Sequence, residues 1–515
     1  MGLTGRPRVE VDVNVLTPSK ATQLVGVAAV IGETERGEIG KTYLIRNWQE
    51  FEKYLGGFPE NWKDYFATDF PVLCYRALNQ GSPLLVTRAE HYTDTTDNTT
   101  GASTKGTVTL AGVAFTARSV GDFTSLIKVS TAANGVATQF DILVQISGMK
   151  DFEYRNIPSV VTQTLADKFN SLSPEVKIAA GTIVLPASPT PVSGALAGGD
   201  YKASAIVDAD YVGDSEAGTG IHALLNETNF VRISVPHKAS NAIDVALQAV
   251  CNTEMPTYRA ILRTPTGISG NVAKDYRKCE GSYSTGTKLN NHLCSMYYGE
   301  LQTIVHPVTK QNVNISAIGD ILGLKAKRDN NLGQWFSSSG SKFPITDATG
   351  VYYNLAANSK KSEWDDLSDA GICAVVNDPD FGVVPFDNRT LQMTEDLLSN
   401  ENVSELIVHM TRTIIALAKP SQFEPNDVQE WNAIWRRVNP FLQSLVTGRA
   451  IRPNYLYEGD QNVDKIEDAV YNDLTDVDNG EYSFRITFAP IVALKYISIT
   501  FNVVSTEVSA TLEVL

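Results

Sequence analysis

Residues 482–515, at the end of the chain, read YSFRITFAPIVALKYISITFNVVSTEVSATLEVL. Apolar and polar residues alternate along it in three runs. Because successive side chains of a strand point to opposite faces, strict alternation predicts three half-buried strands. The apolar positions of the last two runs are Ile497, Ile499, Phe501 and Val503, then Val508, Ala510, Leu512 and Val514. Chain ends usually fray unless a sheet holds them, so the last run predicts a partner strand.

A candidate partner lies near the other end of the chain, where residues 9–15 read VEVDVNV. Thr17-Pro18 ends this run. Its apolar positions are Val9, Val11, Val13 and Val15. Two interpretations of the alternating runs stay open. Either the terminal strands pair within one molecule, or each is donated to a neighbouring copy, whose sheet it extends through main-chain hydrogen bonds.

Composition limits the classes of partner. The chain has 515 residues, a formal net charge of −15 and a sequence pI near 5.0. This length predicts about three or four domains. Phosphate binding needs clustered Lys and Arg, so the acidic balance argues against nucleic acid as the main partner. No apolar run reaches the length of a membrane span and residues 1–6 contain no signal-peptide core, so we expect a protein made in the cytoplasm without direct membrane insertion.

Catalytic and metal-binding motifs do not occur in the sequence. The five cysteines are scattered without a Cys-x-x-Cys pair, which predicts reduced thiols. His292 and Cys294 have no second ligand pair nearby, so we predict no metal and no cofactor. Nucleophile elbows, phosphate loops and dinucleotide fingerprints are missing, and His237 follows a predicted strand near Ser234 without the rest of a triad. We therefore expect a protein that is not an enzyme.

The sequence between the two ends predicts a mixed architecture. The part that follows the N-terminal run reads as a β-β-α-α-β unit, with Asn47 as a helix cap. The low-complexity stretches 91–106 and 186–199 predict linkers around an inserted, mainly β module of sandwich or barrel type. Strands and helices then alternate, which predicts an α/β layer with a largely parallel sheet. We expect residues 304–344 to be rich in loops.

The region after residue 400 reads as strongly helical. Apolar stripes at helical spacing predict one helix ending before Lys419-Pro420 and a second around Trp431. Asn439-Pro440 is expected to restart a third helix. A further helix is expected after Asn462, with Lys465 pointing outward.

These patterns predict a multidomain α+β or α/β fold in six parts. They are an N-terminal extended arm (1–20), the first part of an α/β core (21–92), the inserted mainly-β domain (93–198), a middle α/β domain (199–392), a C-terminal α+β domain (393–495) and C-terminal arm strands (496–515).

Several short segments occur in an order that resembles the contractile tail sheath proteins of phages and related contractile injection machines. These segments are VGVAAVIG (25–32), LLVTR (84–88), LAGGDY (196–201), DPDFG (378–382), NRTL (388–391) and FEPN (423–426). Each motif alone is unspecific, and their common order carries the resemblance. The chain departs from the family at Phe386-Asp387, where Trp-Gly is common.

The resemblance implies a fold and a function. It implies a middle domain that is subtilisin-like in fold and non-catalytic in role. The subunit would polymerise helically around an inner tube, with terminal arms donating strands to neighbours, and would contract from a metastable extended state to drive the tube through a target cell envelope. The implied partners are further copies of the chain, the inner tail tube protein, the baseplate and the tail terminator proteins. The implied location is the virion tail, after assembly in the host bacterial cytoplasm.

The resemblance also suggests inner-tube contacts at Arg449, Arg452 and Lys465. Alternatives stay open at this point. The chain could be the sheath of a non-phage contractile injection system or a tailocin. From other classes, it could be a surface glycan-binding module or a motif-poor α/β enzyme.

Overall fold

A computed structural model of the chain describes most residues between 26 and 494. The described ranges are 26–38, 40–58, 69–91, 103–136, 138–146, 151–173, 176–182, 191–224, 227, 230–254, 258–305, 310, 312–461 and 463–494. Both sets of predicted arm strands, at 9–15 and 496–515, lie outside them. The chain divides into two compact units. The first comprises Met1–Lys238, Pro307–Thr309 and Gly319–Asn330, and the second Ala239–His306, Lys310–Ile318 and Asn331–Leu515.

The fold is mixed α+β. The described strands are β1 (Ala28–Gly32), β2 (Thr42–Ile45), β3 (Leu84–Arg88), β4 (Lys105–Leu110), β5 (Val113–Val120), β6 (Ile127–Ala133), β7 (Gln139–Ile146), β8 (Phe152–Pro158), β9 (Val160–Val161), β10 (Val176–Ile178), β11 (Gly181–Thr182), β12 (Val192–Ala195), β13 (Arg232–Ser234), β14 (Arg259–Arg263), β15 (Cys294–Tyr298), β16 (Glu300–Val305), β17 (Asn312–Ser316), β18 (Gly350–Val351), β19 (Ile372–Asp378), β20 (Gly382–Pro385), β21 (Leu456–Glu458) and β22 (Arg485–Thr487).

The described α-helices are α1 (Trp48–Leu55), α2 (Phe70–Asn79), α3 (Gln163–Leu172), α4 (Asp208–Val212), α5 (Asn241–Ala249), α6 (Gly270–Lys278), α7 (Ile318–Asn331), α8 (Lys361–Asp369), α9 (Glu401–Ala418), α10 (Val428–Thr447) and α11 (Leu474–Asp478). The cap predicted for α1 is present. Asn47 accepts a hydrogen bond from the Glu50 N–H at the start of α1, as predicted.

The core of the first unit is a sheet in the order β2-β3-β1-β13. β1 pairs in parallel with β3 and with β13, whereas β2 runs antiparallel to β3. All five residues of β1 and of β3 are buried. Buried parallel strands read as continuous apolar runs, which is why AAVIG and LLV lack the alternation of a half-buried strand.

Two helices of the first unit, α2 and α7, approach each other closely. Arg76 on α2 donates two hydrogen bonds to the Asp320 carboxylate on α7, at 2.6 and 2.8 Å. A Cβ at Gly319 would lie 2.5 Å from the carbonyl oxygen of Leu73. A side chain at this position would therefore push the two helix backbones apart.

We expect Gly319→Ala to lower the free energy of unfolding by about 1–3 kcal/mol, because the added methyl group overpacks the α2–α7 contact. Chemical denaturation followed by circular dichroism measures the change. Gly57→Ala is the matched control, since a Cβ there would meet only the Glu52 side chain at 3.9 Å. Equal stability of the two variants would contradict the close approach of the helices.

Within the first unit, residues 103–200 form a mainly β module between β3 and α4. One sheet has the order β10-β5-β4 and another the order β12-β6-β7-β8, and every described pairing in them is antiparallel. Their inward positions share one apolar core with helix α3, which includes Phe115, Phe140, Ile142 and Phe169.

The second unit contains strands in the order β14-β15-β19-β20. β14–β15 and β15–β19 pair in parallel and β19–β20 antiparallel. The prediction of a largely parallel α/β layer is confirmed for these strands. Helices α9 and α10 follow, and their apolar stripes meet in a cluster with Leu406, Ile434, Val438 and Leu442.

Three secondary-structure predictions are wrong. The stretch 304–344 was expected to be rich in loops, but it contains helix α7. One face of this helix is buried through Ile318, Ile321 and Leu322. Pro440 does not start a new helix. It lies inside α10, whose face continues through buried Leu442 and Leu445. Residues 463–470 contain only the short 3-10 turn Ile466–Asp468 instead of an α-helix.

Candidate functional site

The feature that best fits the predicted donation of strands between copies is a two-stranded antiparallel sheet in the second unit. It is formed by residues 450–458 and 485–491 and is called the ladder below. β21 pairs with β22, and the pairing resumes at the Ile451–Pro490 bridge. Between them the Arg452 N–H donates to the Ala489 carbonyl at 2.9 Å. Among the described residues this sheet has two strands only. Two-stranded sheets are marginal alone, so the ladder depends on what packs against its faces and edges.

Aromatic side chains hold one face of the ladder against α10. The Trp431 and Tyr482 rings stack with centroids 5.4 Å apart, and Tyr457 lies 4.5 Å from Trp435 and 5.2 Å from Phe484. The Tyr482 hydroxyl donates to the Gly459 carbonyl at 2.6 Å. Large aromatic surfaces at this spacing fix the ladder on a rigid helix.

The connection between the two strands is braced by Asp460. Its carboxylate accepts N–H hydrogen bonds from Val470 at 2.7 Å and from Tyr471 and Asn472 at 2.9 Å. Asn472 also exchanges hydrogen bonds with the backbone of Ser483. Burial alone would raise the pKa of Asp460, but these donors hold it below its ordinary value. The ladder is therefore a preformed element.

Apolar side chains remain exposed in the segments that build this region. Val470 is 83% and Leu494 79% exposed, and Leu456 and Leu474 are each 54% exposed. Leu456 lies in β21 itself, and the Val470 N–H donates to Asp460 beside the ladder. The ladder thus has exposed apolar side chains next to its strands.

The three predicted tube-contact residues are all exposed. Arg449 follows α10 in a left-handed conformation with φ of 60°. Arg452 lies in the ladder, three residues later. Lys465 precedes the 3-10 turn, so its predicted place on a helix is wrong. Sequence reasoning missed β21, whose signal is confined to the short alternation of Tyr455-Leu456-Tyr457-Glu458.

A second polar centre lies in the first unit at the base of the inserted module. The Arg88 guanidinium, at the end of β3, donates to the carbonyls of Thr34 at 3.0 Å, Gly37 at 3.2 Å and Val120 at 3.0 Å. It also lies 4.3 Å above the ring of Tyr201, the residue that follows the module. One buried arginine therefore joins the core to β5 of the module and to the residue that follows the module.

Glu90 lies beside this arginine and accepts a hydrogen bond from Arg88 Nη1 at 2.9 Å. Its side chain is 1% exposed. Burial raises the pKa of Glu90 to about 7, although the Arg88 charge opposes the rise. The carboxyl group at the base of the module thus changes charge near neutral pH.

We expect Glu90→Gln to flatten the pH dependence of stability. Between pH 4.5 and about 7 the folded chain retains a proton that the unfolded chain has lost. The contribution of Glu90 is therefore fully present below pH 4.5 and is lost as the pH rises towards 7. At about 1.4 kcal/mol per pH unit, the loss reaches at most about 3 kcal/mol.

Thermal unfolding at pH 5 and pH 8 measures this effect. The Glu90→Gln variant should gain stability relative to wild type at pH 8 but not at pH 5. The control is Glu153→Gln, at an exposed carboxylate paired with Arg155. Parallel pH profiles for wild type and Glu90→Gln would contradict the raised pKa.

The histidines and cysteines that the sequence analysis considered as possible site residues mostly serve in packing. His237 is buried, and its Nε2 lies 3.0 Å from the Tyr211 hydroxyl, which donates to Glu33 at 2.6 Å. The five cysteines are buried thiols. His292 bonds to the Ser404 hydroxyl through Nδ1 at 3.1 Å. Within the described ranges, no group of three or more His, Cys, Asp and Glu side chains is arranged to hold a metal, and no helix is long and apolar enough to span a membrane.

Sequence comparison finds no match, whether among models of known protein families or among curated proteins. Solved structures do match. A sheath tail protein from Listeria innocua is 14% identical, with a TM-score of 0.59 over 90% of this chain and 95% of that one. A sheath tail protein from Desulfitobacterium hafniense is 13% identical, with a TM-score of 0.54 over 91% and 97%.

The third structure is the helical sheath of the anti-feeding prophage in its contracted state. It is 13% identical, with a TM-score of 0.52 over 98% of this chain and 99% of that one. At these identities the likeness concerns the fold, and it extends over nearly the whole length of the chains. This chain has the fold of the sheath tail proteins of phage-like contractile injection systems.

Proposed function

We propose that this chain is the structural subunit of a contractile tail sheath. Copies polymerise helically around an inner tube and contract from a metastable extended state, which drives the tube through the target cell envelope. The observation that carries this proposal is the agreement in fold with a contracted helical sheath over 98% of the chain. Its role is mechanical and involves no catalysis.

Neighbouring subunits are linked by exchanged strands. The two-stranded ladder supports this step, because its edges can be extended by a strand from another chain. The donated segments are those with strict alternation, at 9–15 and 496–515. Each fully buried apolar side chain contributes about 1.5–3 kcal/mol before the cost of ordering the arm is subtracted. Such a head-to-tail interface produces an open helix instead of a closed oligomer.

The domain fold, the tube contacts, the partner proteins and the place of assembly are proposed as the sequence resemblance implies them. The middle domain is subtilisin-like, as the resemblance implies. Arg449, Arg452 and Lys465 contact that tube. The assembly ends on a baseplate and a terminator protein, and it forms in the host bacterial cytoplasm as part of a virion tail.

Negative-stain microscopy of three purified chains tests the proposal. The test variant replaces Val9, Val11, Val13 and Val15 by Asn, which removes the apolar face of the arm. The matched control replaces Glu10, Asp12 and Asn14 by Ser on the polar face. We expect hollow tubes from wild type and control but only monomers from the test variant. Monodisperse particles from all three would contradict a sheath linked by donated arms.

A further inference from the structure

A cleft in the first unit collects positive charge, although the chain as a whole has a formal net charge of −15. The volume of the cleft is about 410 Å³. The core contributes Glu38, Lys41 and Tyr43 to its lining, and the inserted module contributes Arg118 and Ser171. This feature is called the basic cleft below.

Three cations of the basic cleft share one carboxylate. The Glu38 carboxylate lies 2.7 Å from Arg118 Nη1, 3.4 Å from Lys41 Nζ and 3.7 Å from Lys177 Nζ. Burial alone would raise the pKa of Glu38, but these cations hold it below its ordinary value. One negative charge therefore faces three positive ones. Because the Lys41 and Lys177 side chains are 56% and 45% exposed, the surplus positive charge is open to solvent.

A fourth cation lies in the same field. Lys105, at the start of β4, is half-buried. Burial lowers its pKa, and the like charges of Lys177 and Arg118 lower it further, against the attraction of Glu90 and Glu38. The positive charges thus repel one another across this part of the module. A cleft lined by one sign of charge concentrates the field and attracts a partner of the opposite sign.

The second unit presents a segment of the opposite charge. Residues 473–481 read DLTDVDNGE, with four acidic side chains and no basic one. This stretch is called the acidic segment below. Asp473 and Asp476 cap α11 reciprocally and are used within the segment. Asp478 and Glu481 are exposed, and neither forms an ion pair with any residue that the structure describes.

The acidic segment is held in one conformation. The Glu481 N–H donates to the Asp476 carbonyl at 2.8 Å, and the Gly480 N–H donates to the Val477 carbonyl at 3.0 Å. The Asn426 side chain donates to the Glu481 carbonyl at 2.8 Å. A segment that is already ordered loses less entropy when it binds.

We propose that the acidic segment of one copy docks into the basic cleft of a second copy. Both surfaces are exposed in a single chain, which leaves their charges available to a neighbour. The net charge of −15 disfavours a free polyanion as occupant, whereas each further copy brings one acidic segment for each cleft. The two surfaces differ, so the contact is head-to-tail and can repeat without closing. The inference rests on the proposed polymer and adds to it a contact that involves neither arm.

Exchange of charge between the two surfaces tests the contact, with the critical concentration for polymerisation measured by sedimentation. The cleft variant carries Lys41→Glu and Lys177→Glu, and the segment variant carries Asp478→Lys and Glu481→Lys. We expect each variant to raise the critical concentration at least about tenfold, which corresponds to about 1.4 kcal/mol, because like charges then meet. A chain with all four substitutions should return to within about threefold of wild type, since the attraction is restored with its sign inverted.

Single reversals outside both surfaces are the matched controls. Lys128→Glu on β6 and Glu216→Lys after α4 each invert one exposed charge. Both should leave the critical concentration within about twofold of wild type, because exposed charges away from a contact contribute little. An increase of tenfold in a control would show that polymerisation responds to charge anywhere on the chain, which would overturn the specific contact.

The outcomes separate this contact from the proposed function. Polymerisation of the cleft variant at the wild-type concentration would overturn the contact and leave the sheath proposal standing. Loss in both variants without recovery in the fourfold variant would overturn the acidic segment as the occupant.

If wild type forms no polymer, the proposed function fails, and carbodiimide crosslinking of mixed isotope-labelled and unlabelled chains decides the contact. Crosslinks that join a labelled to an unlabelled chain, between Lys41 or Lys177 and residues 473–481, would support it. Their absence, or crosslinks within single chains only, would overturn it.

Discussion

Replacing Arg259 by Leu should lower the free energy of unfolding of the second unit by about 3–5 kcal/mol. Arg259 is fully buried on β14 and donates to the Ser295 hydroxyl at 2.6 Å and the Glu401 carbonyl at 3.0 Å. Its guanidinium also lies 3.6 Å from the Glu405 carboxylate. The substitution leaves two buried carboxylates, of Glu401 and Glu405, without this cation.

Urea denaturation combined with hydrogen exchange of the β14, β15 and α9 peptides measures this loss. Arg155→Leu is the control, because Arg155 forms an exposed pair with Glu153 and its loss should leave stability nearly unchanged. Adding Glu401→Gln and Glu405→Gln to Arg259→Leu should restore part of the stability. A loss of less than about 1 kcal/mol for Arg259→Leu would show that the buried charges are compensated in another way.

Asp329→Asn should have a comparable effect on the first unit. The Asp329 carboxylate on α7 accepts hydrogen bonds from Arg232 at 2.7 and 3.2 Å and from Arg328 Nε at 2.9 Å. All three side chains are at most 1% exposed. Removing this negative charge leaves the buried guanidinium groups of Arg232 and Arg328 without it, and we expect a loss of about 3–5 kcal/mol.

Hydrogen exchange of β1, β13 and α7 reports this change locally. The control is Glu153→Gln, which removes a carboxylate of the same charge from an exposed pair. Asp329→Asn should speed exchange throughout these elements, whereas the control should not. Unchanged exchange in α7 would contradict the role of the carboxylate in fixing this helix on the sheet.

Local patterns predicted much of the fold. The cap at Asn47 and the alternating strands of the inserted module are present as expected, because each depends on residues close in sequence. The parallel strands were recognisable from their apolar runs. Helix α7 was missed because residues 304–344 were expected to be rich in loops. At Gly319 and Gly323 the lack of a side chain lets α7 approach α2.

The buried ion clusters could not be predicted, because charged residues ordinarily indicate a surface. The partners of Arg232 and Arg259 lie 97 and 142 residues away along the chain, and no local signal connects them. The ladder was missed in part because β21 has only three residues, too few for a clear pattern. The arm strands themselves stay a prediction, as do the division into six parts and the tube contacts.

A helical reconstruction by cryo-electron microscopy of the intact chain after polymerisation tests directly whether strands pass between copies. We expect the ladder of residues 450–458 and 485–491 to be extended at its edges by strands from neighbouring copies, traced to residues 9–15 and 496–515. A polymer in which this ladder keeps two strands, with both arms paired inside their own subunit, would contradict strand exchange between copies.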